Sequence, residues 1–132
     1  MDCTQFLRDH HTKVTPQRIA LVEELHKKGH VDIDTLYANI QKKFPSISLA
    51  TLYKNINSML ESTLLNEVKI SGQKSKYELA KEEHAHMICQ KCGKVEDIFI
   101  DTKALVSNVE NDSHYAVTES ALQFFGVCPN CS

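Results

Sequence analysis

Two Cys-x-x-Cys pairs, Cys89–Cys92 and Cys128–Cys131, lie 35 residues apart in the second half of the chain. Each pair can set two thiolates on one side of a tight turn, and Gly93 permits the turn after Cys92. Four thiolates suit tetrahedral Zn²⁺ and leave no ligand position for a substrate, as in a structural site. The plain alternatives are a redox dithiol or unpaired core cysteines. A redox pair usually opens a helix, whose dipole lowers the thiol pKa. Here the first pair sits between strand-like segments, which favours the metal. Cys3 is left over and reads as a solvent-facing or partly buried thiol without a role. A staple is also what the length calls for. The 132 residues, 42% hydrophobic, can build one good core or two small ones. Modules of about 60 residues are marginal without a metal or an oligomer interface.

The first half is helical. Residues 3–11 form a short opening helix. Thr15-Pro16 reads as an N-cap followed by proline at the first helical position, with Ile19, Val22 and Leu25 at helical spacing and Gly29 as the stop. A second helix starts near Asp32 or Asp34, buries Leu36, Ile40 and Phe44, and ends before Pro45. Ser48 caps a third, with Leu49, Leu52, Ile56, Met59 and Leu60 on one face and Thr51, Lys54, Asn55 and Ser58 on the other. Residues 65–70 and 76–79 then read as two strands around the turn 71–74. Helices followed by one basic hairpin predict a winged helix over 1–80, with the polar stretch 80–83 as boundary. Residues 81–132 carry strand-like segments at 86–89 and 95–100, a helix at 102–110 and a last strand at 121–127. The expected fold class is α+β: a winged-helix domain of the DNA-binding type followed by a βαβ-type module with metal knuckles at both ends.

Two further groups carry chemistry. His84 and His86, two apart on a strand, point to one side and can reach one ion. Asp97 lies on the neighbouring strand, Glu78 at the end of the wing and His30 after Gly29. Mixed nitrogen and oxygen donors suit Fe²⁺, Mn²⁺ or Zn²⁺. Singly, such residues are ordinarily solvated; the His-x-His beside a zinc knuckle is the less ordinary feature. The segment 48–55 is a capped helix exposing Thr51, Tyr53, Lys54 and Asn55. Lys can reach guanine, Asn adenine, and an aromatic ring a thymine methyl. A solvated polar face explains the same pattern. Lys13 and Arg18 are candidates for backbone or minor-groove contacts.

The net charge of −2 does not favour DNA binding, but residues 1–80 carry +2 and residues 81–132 carry −4. Phosphate affinity would need local clustering or two heads acting together. No apolar run reaches the roughly 18 residues of a membrane helix, and Met1-Asp2-Cys3-Thr4 does not resemble a secretion signal. A soluble cytoplasmic protein is expected.

Taken together, these motifs resemble the ferric uptake regulator family. The likeness is carried by Thr15-Pro16-Gln17-Arg18, His30, Ser48-Leu49-Ala50-Thr51-Leu52-Tyr53-Lys54-Asn55, His84-Ala85-His86-Met87-Ile88-Cys89, Cys92-Gly93-Lys94 and Gly126-Val127-Cys128-Pro129-Asn130-Cys131. The resemblance implies a homodimeric repressor of operator double-stranded DNA, whose second, α/β domain is a dimerisation domain with zinc knuckles. It implies structural Zn²⁺ on Cys89, Cys92, Cys128 and Cys131, and a regulatory Fe²⁺ or Mn²⁺ site on His30, Glu78, His84, His86 and Asp97. Asp97 points to the peroxide-responsive (PerR-like) branch, where iron sensors usually have Glu; Glu78 points the other way. Glu83, Ala85 and Ser120 stand where a third metal site of many iron sensors would have ligands. An iron-responsive repressor of iron uptake is the alternative within the family. Outside it stand a Cys-x-x-Cys thiol-redox enzyme and a metal hydrolase, for which no nucleophile motif or phosphate loop is present.

Overall fold

In the computed structural model, which describes residues 1–132, the chain forms two units, Met1–Ala80 and Lys81–Ser132. In the first, side-chain caps set the helix starts. Helix α1 (Cys3–Asp9) begins at Asp2, whose carboxylate accepts from the Gln5 amide at 3.1 Å. Helix α2 (Pro16–Lys28) begins at Thr15, whose hydroxyl accepts from the Arg18 amide at 3.2 Å, and ends at Gly29, where φ is +84°. That angle is costly for a residue with a Cβ. Helix α3 (Ile33–Lys43) is capped by Asp32, and α4 (Leu49–Glu61) by Ser48.

These helices bury Leu7, Leu21, Leu25, Leu36, Ile40, Leu52, Ile56 and Met59 almost completely. Each such side chain contributes roughly 1.5–3 kcal/mol on burial. Two expectations need correction. Phe44 is only half-buried against this core, because it lies beyond the last turn of α3. Leu49 is 42% exposed; it occupies the first position of α4, where the helix end leaves it less covered than Leu52 one turn later.

Strands β2 (Leu65–Val68) and β3 (Lys76–Leu79) form the antiparallel wing, with Leu65 opposite Leu79 and Val68 opposite Lys76. A two-residue strand, β1 (Val31–Asp32), pairs with the other edge of β3, giving the order β1-β3-β2. Nothing in the periodicity marks so short a strand. It anchors the residue after His30 directly to the wing.

The second unit has the sheet order β5-β4-β6. Strands β4 (Ala85–Cys89) and β5 (Val95–Ile98) make an antiparallel hairpin. Helix α5 (Thr102–Ser113) then leads to β6 (Gln123–Gly126), which runs parallel to β4. The knuckles at both ends of this module's sequence therefore lie at one end of its sheet, with Cys89 opposite Gly126. The apolar core here is small. Ala85 and Ile88 are fully buried, whereas Phe99, Leu105, Val109, Tyr115, Phe124, Phe125 and Val127 are exposed. No helix of the chain is long and apolar enough to cross a membrane.

Candidate metal centre

The parallel pairing of β4 and β6 brings the two Cys-x-x-Cys turns together. The four Sγ atoms lie within 4.8 Å of one another. Cys92 Sγ and Cys128 Sγ are 3.9 Å apart, against an edge of about 3.8 Å for a tetrahedron with metal–sulfur bonds of about 2.3 Å. The backbone amides of Cys92 and Cys128 donate to Cys89 Sγ at 3.5 and 3.4 Å. These donors, that of Cys92 first, lower the Cys89 pKa to about 6. Cys131 is pushed up to about 12, chiefly by its hydrogen bonds to Cys128 and then Cys92. One sulfur is thus prepared as a thiolate while its crowded neighbour resists ionising. A bound dication would reverse that resistance, and the donor set fits zinc. Each pair follows a strand, and neither opens a helix.

A second donor group lies in the same unit. His84 Nδ1 sits 2.8 Å from the Glu82 carbonyl. A carbonyl only accepts, so Nδ1 carries the proton and Nε2 is left as the basic nitrogen. That Nε2 is 3.1 Å from His86 Nε2 and 3.2 Å from Asp97 Oδ1, while His86 Nε2 is 3.6 Å from the same oxygen. The register explains the convergence: Asp97 on β5 stands opposite His86 on β4, and His84 precedes His86 by two. Phe99 packs its ring 5.5 Å from that of His84. Two imidazoles and one carboxylate suit a divalent transition metal. In the first unit, His30 Nε2 and Glu78 Oε2 are 2.7 Å apart, with Glu78 buried on β3.

The face of α4 divides in two. Tyr53 and Lys54 are exposed and line a shallow depression with Ala50, Thr51 and Asn57. Asn57, one turn after Tyr53, was not singled out by the sequence reading, although its spacing places it there. Asn55 is turned toward α2. Its Oδ1 accepts from Arg18 Nε at 3.0 Å and its Nδ2 donates to Gln17 at 3.4 Å. Arg18 also donates to Ser58 Oγ and the Lys13 carbonyl, both at 3.3 Å. Residues two helices apart cannot be paired this way from periodicity alone. Lys13 is exposed and Cys3 half-buried.

A winged helix followed by a four-cysteine unit with a histidine–carboxylate cluster defines a metal-dependent transcriptional regulator. The model of the ferric uptake regulator family matches residues 9–125, and the chain belongs to that family. Among relatives, the peroxide operon regulator of Bacillus subtilis is 30% identical, covering 99% of this chain and 92% of its own length. The ferric uptake regulation protein of the same organism is 31% identical, covering 91% and 85%. The crystal structure of the Campylobacter jejuni peroxide stress regulator superposes with a TM-score of 0.76 at 38% identity, covering 99% of this chain and all of that one.

Proposed function

We propose that this protein is a homodimeric repressor that holds operator double-stranded DNA when its regulatory site is filled and releases it when peroxide damages that site. The observation that carries the reading is the meeting of His84 Nε2, His86 Nε2 and Asp97 Oδ1 within 3.1–3.6 Å. In this reading His30 and Glu78 of the first unit complete the ligand set. One ion then draws ligands from both units and favours the posture of the heads that grips DNA, since a ligand shifts a population by its differential affinity. Zn²⁺ on the four cysteines is structural. The exposed apolar residues of α5 and β6, Leu105, Val109, Phe124 and Phe125, support burial against a second copy. Tyr53 and Lys54, with Thr51 and Asn57 beside them, face the major groove. Lys13 meets the backbone or minor groove, and Arg18 and Asn55 hold the helix in place for them.

The peroxide assignment rests on Asp97, whose short side chain leaves room for a small molecule, and on the likeness to the two peroxide regulators above. Ferrous iron, when bound, supplies the electrons that activate peroxide. The net change is the transfer of one oxygen atom from peroxide to a carbon of the His30 or His84 imidazole, with water as the other product. An oxidised imidazole is a poorer donor, and the link between the units weakens. Iron-responsive control of iron uptake is the second reading, favoured by Glu78 and by the Bacillus subtilis ferric uptake relative.

The test loads the protein with Fe²⁺ or Mn²⁺, adds dilute peroxide, and follows operator binding and peptide masses. Iron-loaded protein is expected to lose operator binding and gain one oxygen in the peptides holding His30 or His84, while manganese-loaded protein does neither. Iron-loaded protein that keeps its operator and gains no oxygen returns the site to iron sensing.

A further inference from the structure

Asp97 is held from two sides. Its Oδ1 faces His84 Nε2 and His86 Nε2, while its Oδ2 contacts the Lys81 ammonium. Lys81 is the first residue of the second unit, four residues before β4 begins, and its side chain is 35% exposed against 17% for Asp97. The contact is thus partly withdrawn from water, where an ion pair is screened less than on an open surface. We propose that Lys81 is a positioning residue of the regulatory site: it occupies Asp97 Oδ2, so that the carboxylate offers a cation one oxygen instead of two. The inference rests on the metal reading of His84, His86 and Asp97 given above.

Two consequences follow from elementary electrostatics. A carboxylate shared with an ammonium is a weaker ligand than one given wholly to a metal. The ammonium also repels a dication bound close by. Lys81 therefore lowers the affinity of the site and keeps one coordination position for water or another small molecule. A short carboxylate alone does not secure that position, because an aspartate with both oxygens available can chelate. The tautomer of His84 and the ammonium on Asp97 together set what the second unit contributes to the site at two imidazole nitrogens and one carboxylate oxygen.

The experiment titrates Mn²⁺ into the full-length, zinc-containing protein and its Lys81→Met, Lys81→Arg and His86→Ala variants. Affinity is read from the electron paramagnetic resonance of free Mn²⁺, and inner-sphere water from water-proton relaxation. Lys81→Met keeps the unbranched side chain as far as Cε and removes the ammonium and its charge. It is expected to bind Mn²⁺ about tenfold more tightly, an effect the size of one partly screened charge, and to lose one bound water as Asp97 engages through both oxygens. Lys81→Arg, which keeps a cation, is expected to behave as the parent protein. A Lys81→Met variant with parental affinity and water count overturns the proposal. So does a Lys81→Arg variant that tightens as Lys81→Met does, since charge would then not be the cause. His86→Ala separates the two levels of the argument. If it binds Mn²⁺ as the parent does, the metal reading of the cluster fails. If it loses binding while Lys81→Met is unchanged, only the role of Lys81 fails.

Discussion

Asp32 shows how one carboxylate serves the local fold. It closes β1 and caps α3, accepting the Thr35 amide at 2.8 Å. That hydrogen bond is the main reason its pKa is lowered. A carboxylate depressed on folding contributes stability above its unfolded pKa and loses it as pH falls through the folded value. Asp32→Ala is therefore expected to cost about 1 kcal/mol at neutral pH. The difference from the parent should narrow, without vanishing, at a pH below the folded value, because the protonated carboxyl can still accept the amide and only the charge-dependent part of the cap is lost. Urea unfolding at the two pH values measures it. Asp32→Asn, which can still accept the amide, should recover most of the loss at neutral pH. The sequence narrowed the start of this helix to Asp32 or Asp34, because Asp before an apolar-periodic run has a local cause, and the structure selects Asp32 as the cap. The pairing of β1 with β3 was not legible there, because Asp32 meets Lys76 and Val31 meets Tyr77, 44 and 46 residues further along.

At the scale of elements, α4 is both a core helix and the candidate reading helix, and Arg18 joins these roles. Its guanidinium ties α2 to α4 through Asn55 and Ser58. Arg18→Ala leaves the Asn55 carbonyl without that donor and is expected to cost about 1–2 kcal/mol of stability. Operator and non-cognate DNA should be weakened together, since the whole helix loosens. Tyr53→Ala removes an exposed ring and should leave stability within about 0.5 kcal/mol. It should instead cost roughly 1–3 kcal/mol of operator affinity and relax sequence preference. Thermal unfolding beside anisotropy titrations on cognate and scrambled duplexes separates the outcomes. A Tyr53→Ala variant that binds operator as the parent does removes α4 from the interface. The polar face of α4 was visible as Thr51, Lys54, Asn55 and Ser58. Its division into outward Lys54 and inward Asn55 depends on the neighbouring helix, which periodicity does not locate.

At the scale of the whole molecule, the second unit carries most of its large apolar side chains on the outside. So little internal burial leaves a domain of its size marginal, and two sources can make up the deficit. Zinc bound on Cys89, Cys92, Cys128 and Cys131, as proposed above, would contribute on the order of 10 kcal/mol where binding and folding are one process, comparable to the whole margin of a small protein. On the reading proposed above, a second copy would cover Phe124, Phe125, Leu105 and Val109, which are exposed here. Removing zinc with a strong chelator, or replacing Cys131 by Ser, is expected to unfold this unit and halve the sedimenting mass. The helical signal of the first unit should be retained, because its core of leucines and isoleucines contains no metal ligand. A Cys131→Ser protein that remains dimeric and melts at the parental temperature removes the structural role of zinc.

Some features of this protein follow from the order of its residues alone. Caps, stops and turns belong here: Thr15-Pro16, Gly29, Ser48 and the glycine after Cys92 act within a few bonds of where they stand. So do the two cysteine pairs, whose spacing dictates a turn and whose chemistry dictates a soft cation. The spacing of His84 and His86 belongs here too, since alternate residues of an extended segment share a side, although His84 falls just before β4. Other features come into being only when distant segments meet. The parallel pairing of β4 with β6 turns two pairs of thiols into one four-sulfur group. The register of β4 on β5 sets Asp97 opposite His86. The packing of α2 on α4 closes Arg18 onto Asn55. The path of the chain before β4 brings Lys81 to the outer oxygen of Asp97. Each of these is a contact between residues many positions apart. Its energy depends on the loop closed and the surface buried, and neither is written in a local stretch of sequence.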